Sequence, residues 1–240
     1  AFVSTPAIDV SSAGGLLELS FDSSWRDEAT MTATVTVSYD GGAPVEVLRW
    51  ESDPGSMYFH DDAESEHVTV SLNKPAGARG AVFTFGLTRA GNNWWWAVDN
   101  VAVTGGGVEL FFEDFESVPL GAPVDEALPP VGNYWTHTPP ADWLNDASAV
   151  PGAGDPALDG VTEWAGWTFV NKDWWIDVAE DQQRSQFTLG SGNVAVADPD
   201  EWDDMDHAEG LFNAFLTTPV LEISGAEAGT LQLMFDSSWR

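Results

Sequence analysis

Two stretches decide how this chain is read: residues 1–26, AFVSTPAIDVSSAGGLLELSFDSSWR, and residues 214–240, AFLTTPVLEISGAEAGTLQLMFDSSWR. They align along their whole length with one added residue before the second strand, and both close on FDSSWR. Self-similarity at a fixed period marks a repeating architecture, and a period of about 213 residues is that of a whole domain rather than a solenoid unit. The copies differ at many solvent-type positions while keeping Thr-Pro and the alternating Leu-x-Leu-x-Phe, so they are two related repeats. On this reading the chain is a tandem repeat seen in permuted register. Residues 1–107 form the back part of one β-sandwich repeat, and residues 108–240 the front part of the next.

Working outward, alternation of apolar and polar residues predicts strands at 16–21, 32–39, 45–50, 67–72, 81–88, 95–103, 108–112, 167–170, 193–197 and 231–235. Turn signals separate them, among them Asp40-Gly41-Gly42, Pro54-Gly55 and Gly91-Asn92. Many short strands at this spacing predict an all-β jelly-roll β-sandwich. The run Gly105-Gly106-Gly107 reads as the domain boundary, because glycine makes a flexible joint between compact units. Residues 119–166 are too long for an ordinary loop, so they are expected to pack as a lid or to carry short turns.

Charge bounds the function. Eight Lys and Arg stand against 39 Asp and Glu, a formal net charge of −31. Such a surface repels nucleic acid and anionic lipid, draws divalent cations or basic partners, and suits a salty external medium that screens its self-repulsion. With 43% hydrophobic residues, including 13 Trp and 13 Phe, the chain has ample material for a core and is no disordered acidic tail. No run of 18 apolar residues predicts a membrane span, and the first residues lack signal-peptide regions, so any signal is expected outside this sequence. Without cysteine an external domain has metal or a large core to stabilise it, and calcium is the leading candidate.

The densest acidic stretch runs from Asp198 through Asp200, Glu201, Asp203, Asp204 and Asp206 to His207. Its spacing resembles a calcium loop, with Asp198, Asp200 and Asp203 as candidate metal ligands. It fails the EF-hand pattern, since Trp202 takes the fifth ligand position and the required glycine is absent, so a different calcium loop and a solvated acidic face both stay open. The segment from His60 to His67 divides in the same way between a metal site and a surface. Tryptophans 135, 143, 174 and 175 are candidate stacking residues for a sugar, against core packing and protein contact as the other uses of aromatic rings. Catalysis has no support: Cys, G-x-S-x-G, a phosphate-binding glycine loop and H-E-x-x-H are all absent, so the chain is not expected to be an enzyme.

The order FFEDFES (111–117), GWTFVN (166–171), GNVAVAD (192–198), FLTTPVLEIS (215–224), LQLMFDSSWR (231–240), then VTVSYDGG (35–42), VTVSL (68–72) and WWWAVDNVAV (94–103) resembles the jelly-roll modules grouped as cleaved-adhesin and MAM-like domains. Those modules open on an E-x-F-E type strand, carry a Thr-Pro strand before an L-x-L-x-F strand and close on W-x-[IV]-D-[ND]-[IV]; all three occur here when the chain is read circularly. The resemblance implies a two-sheet sandwich, extracellular placement at the cell surface, structural calcium and a role in adhesion, carbohydrate binding or assembly. It also implies that the opening and closing strands meet, which makes Asp99, Glu113, Asp114 and Glu116 candidate calcium ligands, against a solvated strand edge as the other reading. The function expected is an extracellular structural or adhesive module of a filament or large adhesin whose partners are copies of itself. The alternative is a carbohydrate-binding module serving a secreted hydrolase. In the first case an FDSSWR strand is expected to be completed by a neighbouring copy through strand addition.

Overall fold

The computed structural model describes residues 5–6, 8–126, 131–222 and 228–239, with side chains up to residue 221. The flanking positions of both repeat copies, 1–4, 7, 223–227 and 240, lie outside the described residues. In chain order the strands are β1 Ile8–Asp9, β2 Gly15–Trp25, β3 Thr32–Tyr39, β4 Val45–Glu51, β5 Ala63–Asn73, β6 Gly80–Ala90, β7 Trp96–Gly105 and β8 Val108–Glu113. They continue with β9 Trp135–Thr136, β10 Leu144–Asp146, β11 Thr168–Asn171, β12 Asn193–Ala197, β13 Phe212–Thr217, β14 Leu221–Glu222 and β15 Ala228–Trp239. Two short helices, α1 Lys172–Val178 and α2 Pro199–Trp202, flank β12. Among the described residues no helix is long and apolar enough to cross a membrane.

The fold is all-β and sandwich-like. One sheet holds β4, β3, β6, β13 and β10 in that order, with β1 and β14 on one end of β6; the other holds β5, β2, β7, β12, β11 and β9, with β8 beside β7 and β15 level with β2. Alternation places the core. On β3 Ala33, Val35 and Val37 are buried, while Thr34 and Thr36 are only half-buried. On β2 Leu17, Leu19, Phe21, Ser23 and Trp25 are all buried, as befits a strand in the interior of a sheet. Phe21 meets Phe85 of the facing sheet edge-on at 4.8 Å. The ring of Trp96 sits at the centre, 5.6 Å from Trp167, 5.9 Å from Phe85, 6.1 Å from Trp50 and 6.2 Å from Phe21.

Residues before and after position 107 share both sheets: β6 pairs with β13, and β7 with β12. The glycine run expected as a joint between domains is instead a hairpin. Gly105 registers with Val108, and the two residues between them, Gly106 and Gly107, have φ of +61° and +80°. A two-residue turn of that hand needs positive φ at both positions, which glycine adopts without strain. The described residues of 119–166 do pack: Trp135, Trp143, Val150, Val161 and Trp164 are buried. The buried Glu163 carboxylate fastens this segment by accepting the backbone N–H groups of Val124, Asp125 (2.9 Å) and Glu126 (3.2 Å).

The two repeat copies have the same partners. Leu17, Leu19, Asp22, Ser23 and Ser24 of β2 register with Gly105, Val103, Asp99, Val98 and Ala97 of β7. Leu231, Leu233, Asp236, Ser237 and Ser238 of β15 register with those same five residues. In the other sheet Ile8 and Leu221 both register with Ala81, and Asp9 and Glu222 both with Gly80. One edge of a strand bonds one partner at a time, so the copies are alternative occupants of one position.

Because Trp96 joins both sheets, Trp96→Ala is expected to cost about 3–5 kcal/mol, the usual penalty for a large core cavity. Urea unfolding followed by circular dichroism measures it.

Candidate functional site

Two buried clusters of charge lie on the second sheet. The first forms where β2 and β7 cross a bulge: Ser20 registers with Ala102 and Asp22 with Asp99, so Phe21 opposes both Asn100 and Val101. Asn100 takes the left-handed conformation, φ +50°, that such an extra residue needs. The bulge sets Asp22 and Asp99, 2% and 1% exposed, directly opposite each other. Like charges facing each other across strands are destabilising, so this pair needs compensation.

The compensation is by donors and protons. Asn100 donates its side-chain N–H to Asp22 Oδ2 at 2.7 Å, and His67 Nδ1 lies 3.1 Å from Asp22 Oδ1. Asp99 accepts the N–H of Asn100 at 2.8 Å and of Ser191 at 2.9 Å. Burial nevertheless pushes Asp22 up to about 7 despite the Asn100 bond. It pushes Asp99 up to about 8, with Asp22 and Glu116 adding to the rise and the two N–H donors opposing it. Glu116 accepts the N–H of Asn193 at 2.9 Å, so it and Asp99 hold the same short loop. Gly192 lies between them at φ +60°, where an added Cβ would strike Glu116 Oε1.

Of the four residues expected on the closing and opening strands, Asp99 and Glu116 therefore converge. Glu113 and Asp114 do not join them: they accept the N–H of Phe115 (2.8 Å) and of Glu116 (3.2 Å) on their own segment. Burial raises Glu113 to about 7, and Asp114 adds to it. Asp22 was not foreseen, and His67 comes from the His60–His67 segment that divided between a metal site and a surface. The identical FDSSWR in both copies carried Asp22, but a turn explains a repeated Asp-Ser-Ser as readily as a site does.

The second cluster centres on Arg184, which is fully buried. Four successive non-glycine residues with positive φ, Glu180 to Gln183, lead into it. Such backbone persists only where its surroundings hold it in place. Arg184 Nη2 donates to Asp198 Oδ2 at 2.8 Å and to Glu201 Oε1 at 2.7 Å, with Asp200 at 3.5 Å; Nε donates to Asp198 at 3.1 Å, and Nη1 to the Ala179 carbonyl at 3.0 Å. The guanidinium lies 4.2 Å from the ring centre of Trp95, and Trp175 Nε1 donates to Asp198 at 2.8 Å. Asp198 also caps α2 by accepting the Glu201 N–H.

One guanidinium faces three carboxylates, and protons make up the difference. Burial and then Asp198 push Glu201 to about 9 and Asp200 to about 7, with Arg184 pulling the other way. Among the described residues, Asp198, Asp200 and Glu201 are the only His, Cys or carboxylate group of three or more whose ligand atoms all lie within 4.8 Å of one another. Their geometry does not suit calcium, which takes six to eight oxygens, because the guanidinium already holds the shared oxygens. Asp203, the third residue expected here, turns away: it accepts from Asn92 at 2.6 Å and pairs with His207.

The tryptophans expected as a stacking platform are core residues. Trp135, Trp143, Trp174 and Trp175 are 9, 6, 2 and 0% exposed. Trp174 stacks on Tyr134 at 5.5 Å, and Trp143 meets the edges of Phe111 and Phe115. The triple tryptophan is explained by FDSSWR. Trp95 Nε1 donates to Ser24 at 2.9 Å, Trp96 Nε1 donates to Ser23 at 2.8 Å, and Arg26 stacks on Trp94 at 3.5 Å.

No family model matches this chain, and no curated protein or solved structure matches it.

Arg184→Ala leaves Asp198 buried without its cation and is expected to cost about 3–5 kcal/mol in urea unfolding. Glu201→Gln is expected to cost no more than about 1 kcal/mol, since the amide imitates an acid already held protonated. The carboxyls of Asp22, Asp99, Glu113, Asp200 and Glu201 also bind protons more tightly folded than unfolded. Between the unfolded range near 4 and the folded values of about 7 to 9, folding therefore takes up protons, and stability falls as pH rises. The melting temperature is expected to drop from pH 5 to pH 9, and Asp99→Asn to make the drop shallower.

Proposed function

We propose that this chain is a repeating structural module of an extracellular filament or large adhesin at the cell surface, built as tandem jelly-roll sandwiches and stiffened by calcium. The observation that carries this reading is the shared register of the two copies: the sequence period of about 213 residues equals the length of one complete turn through the fold. A chain that returns to its starting strand after one domain is what a tandem array requires. The acidic surface supports an external, salty setting, where screening weakens its self-repulsion.

Calcium would be held where Asp22 and Asp99 face each other across β2 and β7. Their oxygens are the hard donors that ion prefers, and at Asp22 and Asp99 a divalent cation would take over the task now left to protons. The carbohydrate-binding alternative keeps the same fold but loses its stacking platform, because the four tryptophans are buried.

Denaturing gels of the native source, probed with an antibody to this chain, test the array: a polypeptide far larger than 25.9 kDa is expected, and a band at that mass contradicts it. Calcium is expected to raise the melting temperature at pH 8, and chelator to lower it. Asp99→Asn is expected to abolish the difference, and a melting temperature blind to calcium removes the ion from the account.

A further inference from the structure

We propose that the position between β5 and β7 is a strand-acceptor site, and that its partner is the pair of strands β14 and β15, Leu221–Glu222 and Ala228–Trp239, of a second copy of this chain. The proposal rests on reading the chain as a repeating module. It adds how one copy grips the next.

The duplicated register is the first support. Both copies match the same residues of β7 in one sheet and the same residues of β6 in the other, so the acceptor recognises a donor at two places on opposite faces of the core. The aligned threonines of the two copies are satisfied unequally. The Phe83 N–H donates to Thr218 Oγ1 at 2.5 Å, while among the described residues the buried Oγ1 of Thr5, which aligns with Thr218, has no partner.

The pattern of identity between the copies is the second support. Leu17 and Leu231, Leu19 and Leu233, Phe21 and Phe235, Asp22 and Asp236, Ser23 and Ser237, Ser24 and Ser238, and Trp25 and Trp239 are the same residue in both. In the first copy these are the residues the acceptor grips: Phe21 against Phe85, Asp22 to Asn100, Ser23 to Trp96, Ser24 to Trp95, and Trp25 against Trp96. Where the copies differ, as at Glu18 and Gln232 or Ser20 and Met234, none of these grips is involved. The two strands are alike wherever one acceptor would demand it.

A donor outside the site presents a Leu-x-Leu-x-Phe strand with unpaired backbone to water, the kind of edge that pairs with another chain. The described residues hold one acceptor and two donors, so the displaced donor fits the same site in a second copy by strand addition.

Cysteine trapping in the full chain tests this, because the sequence has no cysteine of its own. Val98 registers with both Ser23 and Ser237, and directly opposed residues on paired strands lie near disulfide distance. Val98→Cys with Ser23→Cys in one chain is the positive control and is expected to form an intrachain disulfide. Chains carrying Val98→Cys alone are then refolded from urea together with chains carrying Ser237→Cys alone, and oxidised. A disulfide-linked dimer is expected at several-fold the yield seen when Ala43→Cys, on an exposed loop, replaces Ser237→Cys. A yield no higher than that control, with the positive control formed, overturns the acceptor site. Such a failure leaves the module reading intact, since that stands on the mass of the native polypeptide and on its response to calcium.

Discussion

The space between β5 and β7 is one strand wide, and the strand that fills it joins the second sheet into a single layer and faces Phe85 and Trp50 of the other sheet. Without it β5 separates from β7, Trp96 loses its ring contacts with Phe21 and Trp25, and the indole N–H groups of Trp95 and Trp96 lose their acceptors. Buried polar groups left unpaired are costly, so this position must be filled. The sequence supplies two strands that satisfy the same register. The repeat is thus a duplicated solution to a single packing requirement.

That same strand carries a charge into the fold. Asp22 comes to rest opposite Asp99, and the second copy would bring Asp236 to the same place. Closing the sheet therefore always sets two carboxylates face to face, which protons or a cation must offset. The Arg184 cluster meets a related requirement by other means, with a guanidinium among three carboxylates and aromatic rings around it. Both clusters bear on the short segments around β12: the first holds the loop before it through Ser191 and Asn193, and the second begins at Asp198 just after it.

Much of the sandwich could be read from the sequence where alternation is uninterrupted. The strands expected at 32–39 and 193–197 match β3 and β12, because TATVTVSY and NVAVA expose no competing period. The helix α1 was hidden: KDWWIDV is two turns long, and its cap, Asn171, ends a strand. The glycine run was misread because flexibility in a linker and positive φ in a hairpin call for the same residue. In the site, Asp99 and Glu116 were legible only through the meeting of the opening and closing strands. Arg184 left no signal, since it comes from a separate turn 14 positions before Asp198 and belongs to no motif. The tryptophans could not be placed from composition, because ring-rich cores and ring-rich binding faces look alike until burial is known.

The central claim is that two donors are interchangeable in one position, and disabling them singly and together tests it most directly. Leu19→Asp with Phe21→Asp removes the first donor, and Leu233→Asp with Phe235→Asp removes the second. Losing one of two equal occupants costs only the statistical factor of two, about 0.4 kcal/mol, so each variant is expected to unfold within about 1 kcal/mol of the parent chain in urea. The chain carrying all four substitutions is expected not to fold. If the first pair of substitutions alone unfolds the protein as completely as all four, the second copy does not serve the site and the account fails.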